Sequence, residues 1–447
     1  MSTSAKKFII LLGDVVLLYS ALFVTVYARY SNVSPYHTNF TTAQLFQIHA
    51  VAFTPLILVW LVVFYIHNLY EITSAKNTLE FYTGLSRSLI ANFFIAVLFF
   101  YFANFANVAP KTNLFIYFAV FSMCFVIWRS QMNGILKKRL LTKTVILSGD
   151  DSGDNLAVKL NQNPQIGYRV KSVFNFSSNL GNLAEFIRSN HIKALIIDDK
   201  FLSMESFALS INDFLDNIEV INLDKFNERV WRKVNLKNIS QLWFLSNFAT
   251  GRKSVYGFIK RIADFAISLV LIPFIFAFGI LIAVSIKLCD KGPIFYKQKR
   301  VGYKGRNFIL FKFRTMRTDA ESKGAQWTIE NDKRVTKVGR FLRKARLDEL
   351  PQLINILKGE MSFVGPRAER PEFHQLLLKE IPFYDRRYLV KPGLTGWAQI
   401  NYTYGSSVED TKEKLSYDFY YLKNRSFIFD LGIILKTINI VLAGLGR

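Results

Sequence analysis

Residues 346–352 read Arg-Leu-Asp-Glu-Leu-Pro-Gln, with two adjacent carboxylates, Asp348 and Glu349, at a predicted helix start. A helix over Glu349–Leu357 would hold Pro351 in its first turn, where its missing N–H costs nothing. Asp348 would then be the N-cap, where the helix dipole favours a carboxylate and equally a phosphoryl group carried on it. The heptapeptide alone fits a simple helix cap as well as a catalytic site.

Cations crowd the sequence before this heptapeptide. Such density serves phosphates, and fusion to apolar segments favours a membrane-borne phosphate over nucleic acid. Within residues 311–317 the cations alternate with apolar residues, which predicts one basic strand face. The run comprises Lys297, Lys299, Arg300, Lys304, Arg306, Lys312, Arg314, Arg317, Lys333, Arg334, Lys337, Arg340, Arg343, Lys344 and Arg346.

Two proline-stiffened loops follow the carboxylate pair. Residues 365–372 carry Arg367, Glu369 and Arg370, and arginines in such a loop suit bidentate contacts to phosphate. Residues 391–399 end at Gln399, whose amide can contact a base or sugar. Each loop alone fits a scaffold as well as a site.

The composition indicates a membrane protein with a basic surface. Of 447 residues, 51% are hydrophobic and 15% aromatic, yet the formal net charge is +24. Membrane insertion explains the first two values, and attraction to anionic lipid or phosphate explains the third. Cys124 and Cys289 have no metal-ligand spacing, and two such cysteines fit a reducing cytosolic face.

Four apolar runs open the chain, each close to the ~20 residues that cross a bilayer. Basic residues precede the first run and follow the fourth, so both ends of this predicted four-helix transmembrane bundle lie on the cytoplasmic side. Asp14, inside the first run, is expected to pack against neighbouring helices or to serve a function. The runs are Phe8–Ala28, Phe46–Ile66, Leu89–Ala106 and Leu114–Trp128.

A small α/β domain follows the apolar runs. Strands at Thr144–Leu147 and Ala194–Ile197 predict a degenerate Rossmann-like, doubly wound unit. Asp151 and Asp154 stand at glycine positions of its first turn, where they would repel a pyrophosphate. We expect no dinucleotide there, and a structural or regulatory role instead.

A fifth apolar run, Ile262–Ile286, contains Pro273 near its middle and has basic residues on both flanks. A proline there kinks a helix, and two basic flanks favour a re-entrant hairpin over the alternative, an ordinary kinked span. Amphipathic stretches at Phe383–Val390 and Leu431–Leu445 predict interfacial helices. The expected segments are a transmembrane domain at 1–140, the Rossmann-like domain at 141–230, a connector at 231–259, the hairpin at 260–291 and a mainly α, α+β catalytic domain at 292–447.

In combination, these motifs resemble one family, the bacterial sugar transferases. These are the polyisoprenyl-phosphate hexose-1-phosphate transferases, also called large monotopic-type phosphoglycosyl transferases. The resemblance covers Lys260–Arg447 and rests on the segments Lys260–Asp264, Gly292–Gly302, Lys312–Met316, Asp348–Gln352, Gly359–Arg367 and Pro392–Gln399.

The resemblance implies transfer of a sugar 1-phosphate from a UDP-sugar to undecaprenyl phosphate with release of UMP, the first membrane step of exopolysaccharide, capsule or glycan assembly. It implies a ping-pong reaction through a sugar phosphate on Asp348, with Glu349 assisting by proton transfer or by helping to hold Mg²⁺. Asp348 and Glu349 are the expected ligands of this Mg²⁺. It also implies a homodimer in the bacterial inner membrane, with the catalytic domain on the cytosolic face and no nucleic-acid partner. The phosphate- or substrate-binding residues would be Lys260, Arg261, Asp264, Lys297, Arg300, Lys312, Arg314, Arg317, Arg346, Arg367, Glu369, Arg370 and Gln399.

The sequence departs from the family pattern at two positions. Ile272 precedes the hairpin proline where many members have serine, and Ala368 replaces a common proline after Arg367. A non-catalytic nucleotide-sugar-binding or regulatory protein is the alternative function, and release of UMP separates the two. An oxidoreductase acting through the α/β domain is disfavoured by the acidic turn.

Overall fold

The chain divides into two compact units, Met1–Phe226 and Asn227–Arg447. A computed structural model describes residues 3–30, 40–102, 110–175, 183–202, 218–248, 252–290, 292–320, 332–402 and 407–444.

Four long apolar helices begin the first unit, as predicted, and each has the length and composition to cross a membrane. Their common core is aromatic, with Phe53, Trp60 and Tyr117 fully buried. Asp14 packs between helices, where its carboxylate lies 2.5 Å from the Arg129 guanidinium and both side chains are buried. The helices are Thr3–Tyr30, Thr42–Ile66, Leu79–Phe102 and Pro110–Lys138.

A four-stranded parallel sheet of order β2-β1-β3-β4 completes the first unit. Both predicted strands are confirmed, and β3 is buried along its whole length because parallel strands are covered on both faces. After β1, the Asp150 carboxylate accepts a hydrogen bond from Ser152 N at 2.9 Å, so the turn's own anion takes up a backbone N–H at the helix start. The elements are β1 (Thr142–Leu147), β2 (Tyr168–Phe174), β3 (Ala194–Ile197) and β4 (Glu219–Asn222), with helices at Ser152–Gln162, Leu183–Ser189 and Asp199–Leu202. The next helix, Leu223–Trp231, begins in the first unit and ends in the second.

The second unit is a mixed α/β domain. Strands β5 (Phe295–Val301) and β6 (Asn307–Phe313) form an antiparallel pair, and the short strands β7 (Ser362–Val364) and β8 (Gly393–Thr395) are parallel. Its helices are Gln241–Phe248, Arg252–Cys289, Lys337–Lys344, Leu353–Lys358, Pro371–Glu380, Trp397–Asn401, Val408–Asn424 and Phe427–Leu442.

The helix Arg252–Cys289, hereafter the proline helix, contains the fifth apolar run, with Pro273 inside it. It is a fifth helix long and apolar enough to cross a membrane, and most of its surface is exposed. In its second half, Ile282 and Ile286 pack against Phe313 and the helix Lys337–Lys344.

The prediction of an interfacial helix at Phe383–Val390 is wrong. This segment forms a 3-10 turn over Tyr384–Leu389, in which Tyr384, Arg387 and Tyr388 are buried. Its aromatic residues join the core of the domain, and the buried arginine finds charged and hydroxyl partners there. The segment is helical, as the 3-10 turn shows, but its apolar face packs against protein and not against lipid.

Candidate active site

The carboxylate pair lies in a 3-10 turn over Leu347–Gln352, directly before the helix Leu353–Lys358. Arg346 holds the N-cap position with a left-handed φ of 53°, so the prediction of Asp348 as N-cap is wrong. Arginine has no intrinsic preference for this backbone region, which is why the local sequence does not announce the turn. The altered start buries both carboxylates, with Asp348 5% and Glu349 6% exposed.

Three cations from different elements surround Glu349. Lys312 on β6 donates to its Oε1 at 3.0 Å, and Arg367 donates to the same oxygen at 3.1 Å. Arg346 lies 3.5 Å from Oε2. Burial alone would raise the pKa of Glu349, but these cations outweigh it and hold the pKa well below its usual range. Glu349 is therefore ionised and links the surrounding charges.

Asp348 has a different environment. Its Oδ2 lies 4.0 Å from Lys312 Nζ, and its buried Oδ1 has no hydrogen-bond partner among the described residues. Burial raises the pKa of the Asp348 carboxyl; Lys312 opposes this rise, and the Glu349 charge adds to it. A carboxylate that is buried, weakly paired and surrounded by cations can act as a nucleophile toward an electrophile that brings its own negative charge.

Both carboxylates line a cleft of about 690 Å³ within the second unit. Nine arginines and two lysines line it, against three carboxylates. This strong positive excess suits a polyanion such as a diphosphate. Of the predicted site residues, the cleft brings together Arg300, Lys312, Arg314, Arg317, Arg346, Asp348, Glu349, Arg367, Glu369, Arg370 and Gln399.

Tight backbone packing positions several of these side chains. Arg314 is 7% exposed and donates to the carbonyl of Asp290 at 2.8 Å. A Cβ on Gly292 would lie 1.5 Å from the Arg314 guanidinium, so a side chain at position 292 would displace this arginine. Arg346 reaches Gln399 Oε1 at 3.5 Å, and the buried Gln399 amide nitrogen has no partner within the described part of the chain. That nitrogen is available to an acceptor in the cleft.

Four predicted substrate-binding residues do not line the cleft. Lys297 is exposed on β5, with its ammonium 5.9 Å from the Phe311 ring. Lys260, Arg261 and Asp264 bond to other parts of the same domain. The predicted kink residue, Pro273, lies in the interior of the proline helix.

Two features of the site were absent from the predicted binding residues, although the first, Arg343, belongs to the cation run noted in the sequence. Arg343 lines the cleft, donates to Thr315 Oγ1 at 2.8 Å and is one of the charges acting on Asp348. A signal existed: Gly339 stands four residues before it, on the same helix face, and a Cβ there would lie 2.0 Å from the Thr315 carbonyl.

The second missed feature is a buried pair, Arg387 and Asp418, 2.8 Å apart. Arg387 also donates to the carbonyl of Arg367 at 3.1 Å, so the pair supports the loop that carries a cleft arginine. These partners come from distant parts of the chain, and no local pattern identifies them.

The described residues contain no group of three or more His, Cys, Asp or Glu side chains that could hold a metal ion. A Mg²⁺ ion needs fewer protein ligands when substrate phosphates and water complete its shell. The unpartnered Oδ1 of Asp348 fits such an ion. Glu349 fits it poorly, because cations already engage both of its oxygens.

The family model described as "Bacterial sugar transferase" matches residues 255–444, which contain every cleft residue named above. An uncharacterized sugar transferase of Bacillus subtilis (strain 168) is 39% identical over 192 residues, which are 42% of this chain and 89% of the relative. The chain belongs to the bacterial sugar transferase family.

Longer members of the bacterial sugar transferase family are also similar to this chain. A UDP-N-acetylgalactosamine-undecaprenyl-phosphate N-acetylgalactosaminephosphotransferase of Aeromonas hydrophila is 40% identical over 232 residues, 52% of this chain. The chain spans about half of that relative, 54% of its length. A UDP-glucose:undecaprenyl-phosphate glucose-1-phosphate transferase of Escherichia coli (strain K12) is 28% identical over 341 residues, 72% of this chain and 73% of the relative.

Proposed function

We propose that this bacterial sugar transferase moves a sugar 1-phosphate from a UDP-sugar to undecaprenyl phosphate and releases UMP. The observation that carries the proposal is the buried Asp348, with its unpartnered oxygen, in a cleft dominated by arginines. The printed names of the Aeromonas and Escherichia relatives describe undecaprenyl-phosphate transferases of two different sugars, so the reaction class is proposed and the sugar is left open.

The proposed reaction has two displacements at one phosphorus. An Asp348 oxygen attacks the phosphorus that bears the sugar, the bond to the UMP oxygen breaks, and UMP leaves with that electron pair. An oxygen of undecaprenyl phosphate then attacks the same phosphorus and expels the Asp348 carboxylate. The cleft arginines bind the diphosphate and stabilise the charge that develops on the leaving phosphate.

Glu349 organises cations in this mechanism. The second nucleophile is a phosphate oxygen that is already ionised, so no base has to remove a proton from it. A carboxylate with a lowered pKa is also a poor base near neutral pH. We therefore assign Glu349 to the placement of Lys312 and Arg367, with which it pairs.

Mg²⁺ is a proposed cofactor. The Asp348 carboxylate would help to hold the ion, which would neutralise phosphate charge and orient the diphosphate when bound. The residues of the chain supply the remaining positive charge.

The proposed location is the bacterial inner membrane, with the catalytic domain on the cytosolic face and the proline helix as a re-entrant hairpin. Contacts near both ends of the proline helix support the re-entrant hairpin. Arg261 bonds to the carbonyls of Ile356 and Leu357, and Ile286 packs against Phe313, all in the second unit. A full crossing would carry one end of the helix away from that unit. A C-terminal tag should be digested from the cytosolic side of inverted vesicles, and protection of the tag would contradict the hairpin.

The nucleophile is tested by Asp348→Asn in detergent-solubilised protein. Wild type should exchange labelled UMP into UDP-sugar without any lipid acceptor, as a ping-pong reaction requires. Asp348→Asn should lose both this exchange and sugar-phosphate transfer, by a factor of about 10⁴ or more, as for loss of a nucleophile that acts with its partners as a unit.

Asp385→Asn, a change of the same chemistry at an exposed position, is the matched control. Retained transfer by Asp348→Asn would refute the nucleophile, and absent exchange in an active wild type would favour direct displacement. UDP-sugar binding without any UMP release would favour the non-catalytic alternative. The proposed homodimer is tested separately by light scattering of the purified protein.

A further inference from the structure

One turn of the proline helix, with Arg261 and Asp264, bonds to both elements that supply the groups around the catalytic carboxylates. We propose that Arg261 and Asp264 are positioning residues, which hold Glu349 and Arg367 in register from the base of the membrane helix. This role deepens the proposed function and rests on it, and it differs from the lipid-phosphate contact that the sequence predicts for these residues.

Two sets of hydrogen bonds, here called the two arms, join the proline helix to the elements of the site, and the first arm is made by Arg261. Its guanidinium donates to the carbonyls of Ile356 at 2.5 Å and Leu357 at 2.6 Å. These carbonyls belong to the last turn of the helix Leu353–Lys358, where carbonyls lack the usual i+4 partner within the helix. The Ile356 carbonyl also accepts a hydrogen bond from the N–H of Gly359, which caps the helix. The helix follows the 3-10 turn with Asp348 and Glu349 without interruption. Arg261 therefore anchors the far end of the element that carries the carboxylates.

The second arm runs through Asp264. Its Oδ1 accepts a hydrogen bond from the backbone N–H of Phe363 in β7 at 3.2 Å. Arg367 follows four residues after Phe363, and Gly365 lies between them. Asp264 thus fixes the strand from which the arginine loop departs.

Gly365 leaves no room for a side chain, since a Cβ at this position would lie 2.9 Å from the backbone nitrogen of Gly393. The same Cβ would lie 2.4 Å from the carbonyl oxygen of Lys391, so any side chain at this position would collide with backbone. The passage from β7 to Arg367 is therefore confined.

A polar cluster on the same turn adds a second link to β7. Lys260 and Tyr256 both donate to the Asp430 carboxylate. The Tyr421 hydroxyl lies 2.9 Å from Asp430 Oδ1 and 3.2 Å from the carbonyl of Val364. The charge of Lys260 is thus paired inside the domain, next to the strand that Asp264 holds.

The two arms meet in the cleft, where Arg367 donates to Glu349 at 3.1 Å. The proline helix is therefore hydrogen-bonded to both elements, and these two elements are bonded to each other through Arg367 and Glu349. Misplacement of a reacting group by about 1 Å can cost about 100-fold in rate. A loose arm should therefore lower kcat and leave the contacts that bind lipid phosphate intact.

The test compares Arg261→Gln, Arg261→Lys and Asp264→Ala with wild type in UMP release. Arg261→Gln and Asp264→Ala should lower kcat by roughly 10- to 100-fold, with the KM for undecaprenyl phosphate unchanged. Arg261→Lys, which keeps a donor, should recover part of the loss. Lys287→Gln is the control, since it removes an exposed cation from the same helix.

A double-mutant cycle separates positioning from general damage. In an Arg367→Gln background, Asp264→Ala should have little further effect, because the Arg367 guanidinium that Asp264 positions is already lost. Additive losses would overturn the proposal. A raised KM for undecaprenyl phosphate at unchanged kcat would also overturn it, in favour of a phosphate contact.

Hydrogen–deuterium exchange measures how firmly the two arms hold their elements, and this measurement does not depend on catalysis. Asp264→Ala should speed exchange in residues 362–367 and Arg261→Gln in residues 353–359, while Lys287→Gln changes neither. Unchanged exchange in both variants would contradict the proposal. A wild type that shows no UMP release would refute the proposed function alone, because the exchange experiment still tests the two arms.

Discussion

Replacement of Glu349 by glutamine should destabilise the second unit by leaving cleft cations without their shared anion. Lys312 lies 3.0 Å from Glu349, and the two side chains are 17% and 8% exposed. At an effective dielectric constant near 20, such a pair attracts with roughly 5 kcal/mol, most of which offsets the desolvation of the two charges. The carboxamide removes the attraction and leaves the desolvated lysine.

The expected loss is about 3 kcal/mol of unfolding free energy. Breaking a buried ion pair by removing one partner costs about 3–5 kcal/mol. The lower end applies because Arg367 is 49% exposed and can turn to water, and because Asp348 remains 4.0 Å from Lys312. For a unit of this size, each kcal/mol moves Tm by about 2–4 °C, which predicts a fall of roughly 6–12 °C.

Thermal unfolding of the detergent-solubilised protein measures this shift, with and without UDP. UDP should stabilise Glu349→Gln more than wild type, because its phosphates replace the missing anion between the cations. Glu409→Gln is the matched control: its pair with Lys412 is 4.0 Å apart, Glu409 is 80% exposed, and we expect less than about 1 °C of change. If Glu349→Gln has the same Tm as wild type, and UDP raises the two Tm values equally, the proposed role of Glu349 in organising the cations is refuted.

Three further outcomes follow from the charges of the site. Asp348 must be ionised to attack, so activity should fall as the pH drops through its raised pKa. Arg343 lowers this pKa and Glu349 raises it, so in pH–rate profiles Arg343→Gln should move the acid limb to higher pH and Glu349→Gln to lower pH. Burial raises the pKa of Asp418 to about 6 in the folded protein, from 3.8 in the unfolded chain. The contribution of Asp418 to the free energy of unfolding is therefore full below pH 3.8 and is lost as the pH rises through about 6. Asp418→Asn should remove this decline from plots of Tm against pH. Chelation by EDTA should stop UMP release while Tm stays constant, since the proposed Mg²⁺ arrives with substrate, and a lower Tm in EDTA would indicate a resident metal.

Local patterns were sufficient for much of the architecture. The apolar runs, the strands β1 and β3 and the cations near Asp348 follow from composition and short periodicities. The left-handed Arg346 was not predictable in this way, because an arginine gives no signal for that backbone region and packing alone selects it. The interfacial helix predicted at Phe383–Val390 failed for a related reason: an apolar face meets lipid or protein according to what the tertiary fold places against it.

The sequence by itself determined the chemistry that the cleft can offer, because a carboxylate pair among arginines and lysines keeps its charges in any fold. Only the tertiary structure decided which charges meet. Arg261 and Ile356 are 95 residues apart, and Asp264 and Phe363 are 99 apart, yet each pair is hydrogen-bonded. Such contacts arise when packing brings distant elements together, and they turn residues predicted to bind phosphate into residues that hold the catalytic elements.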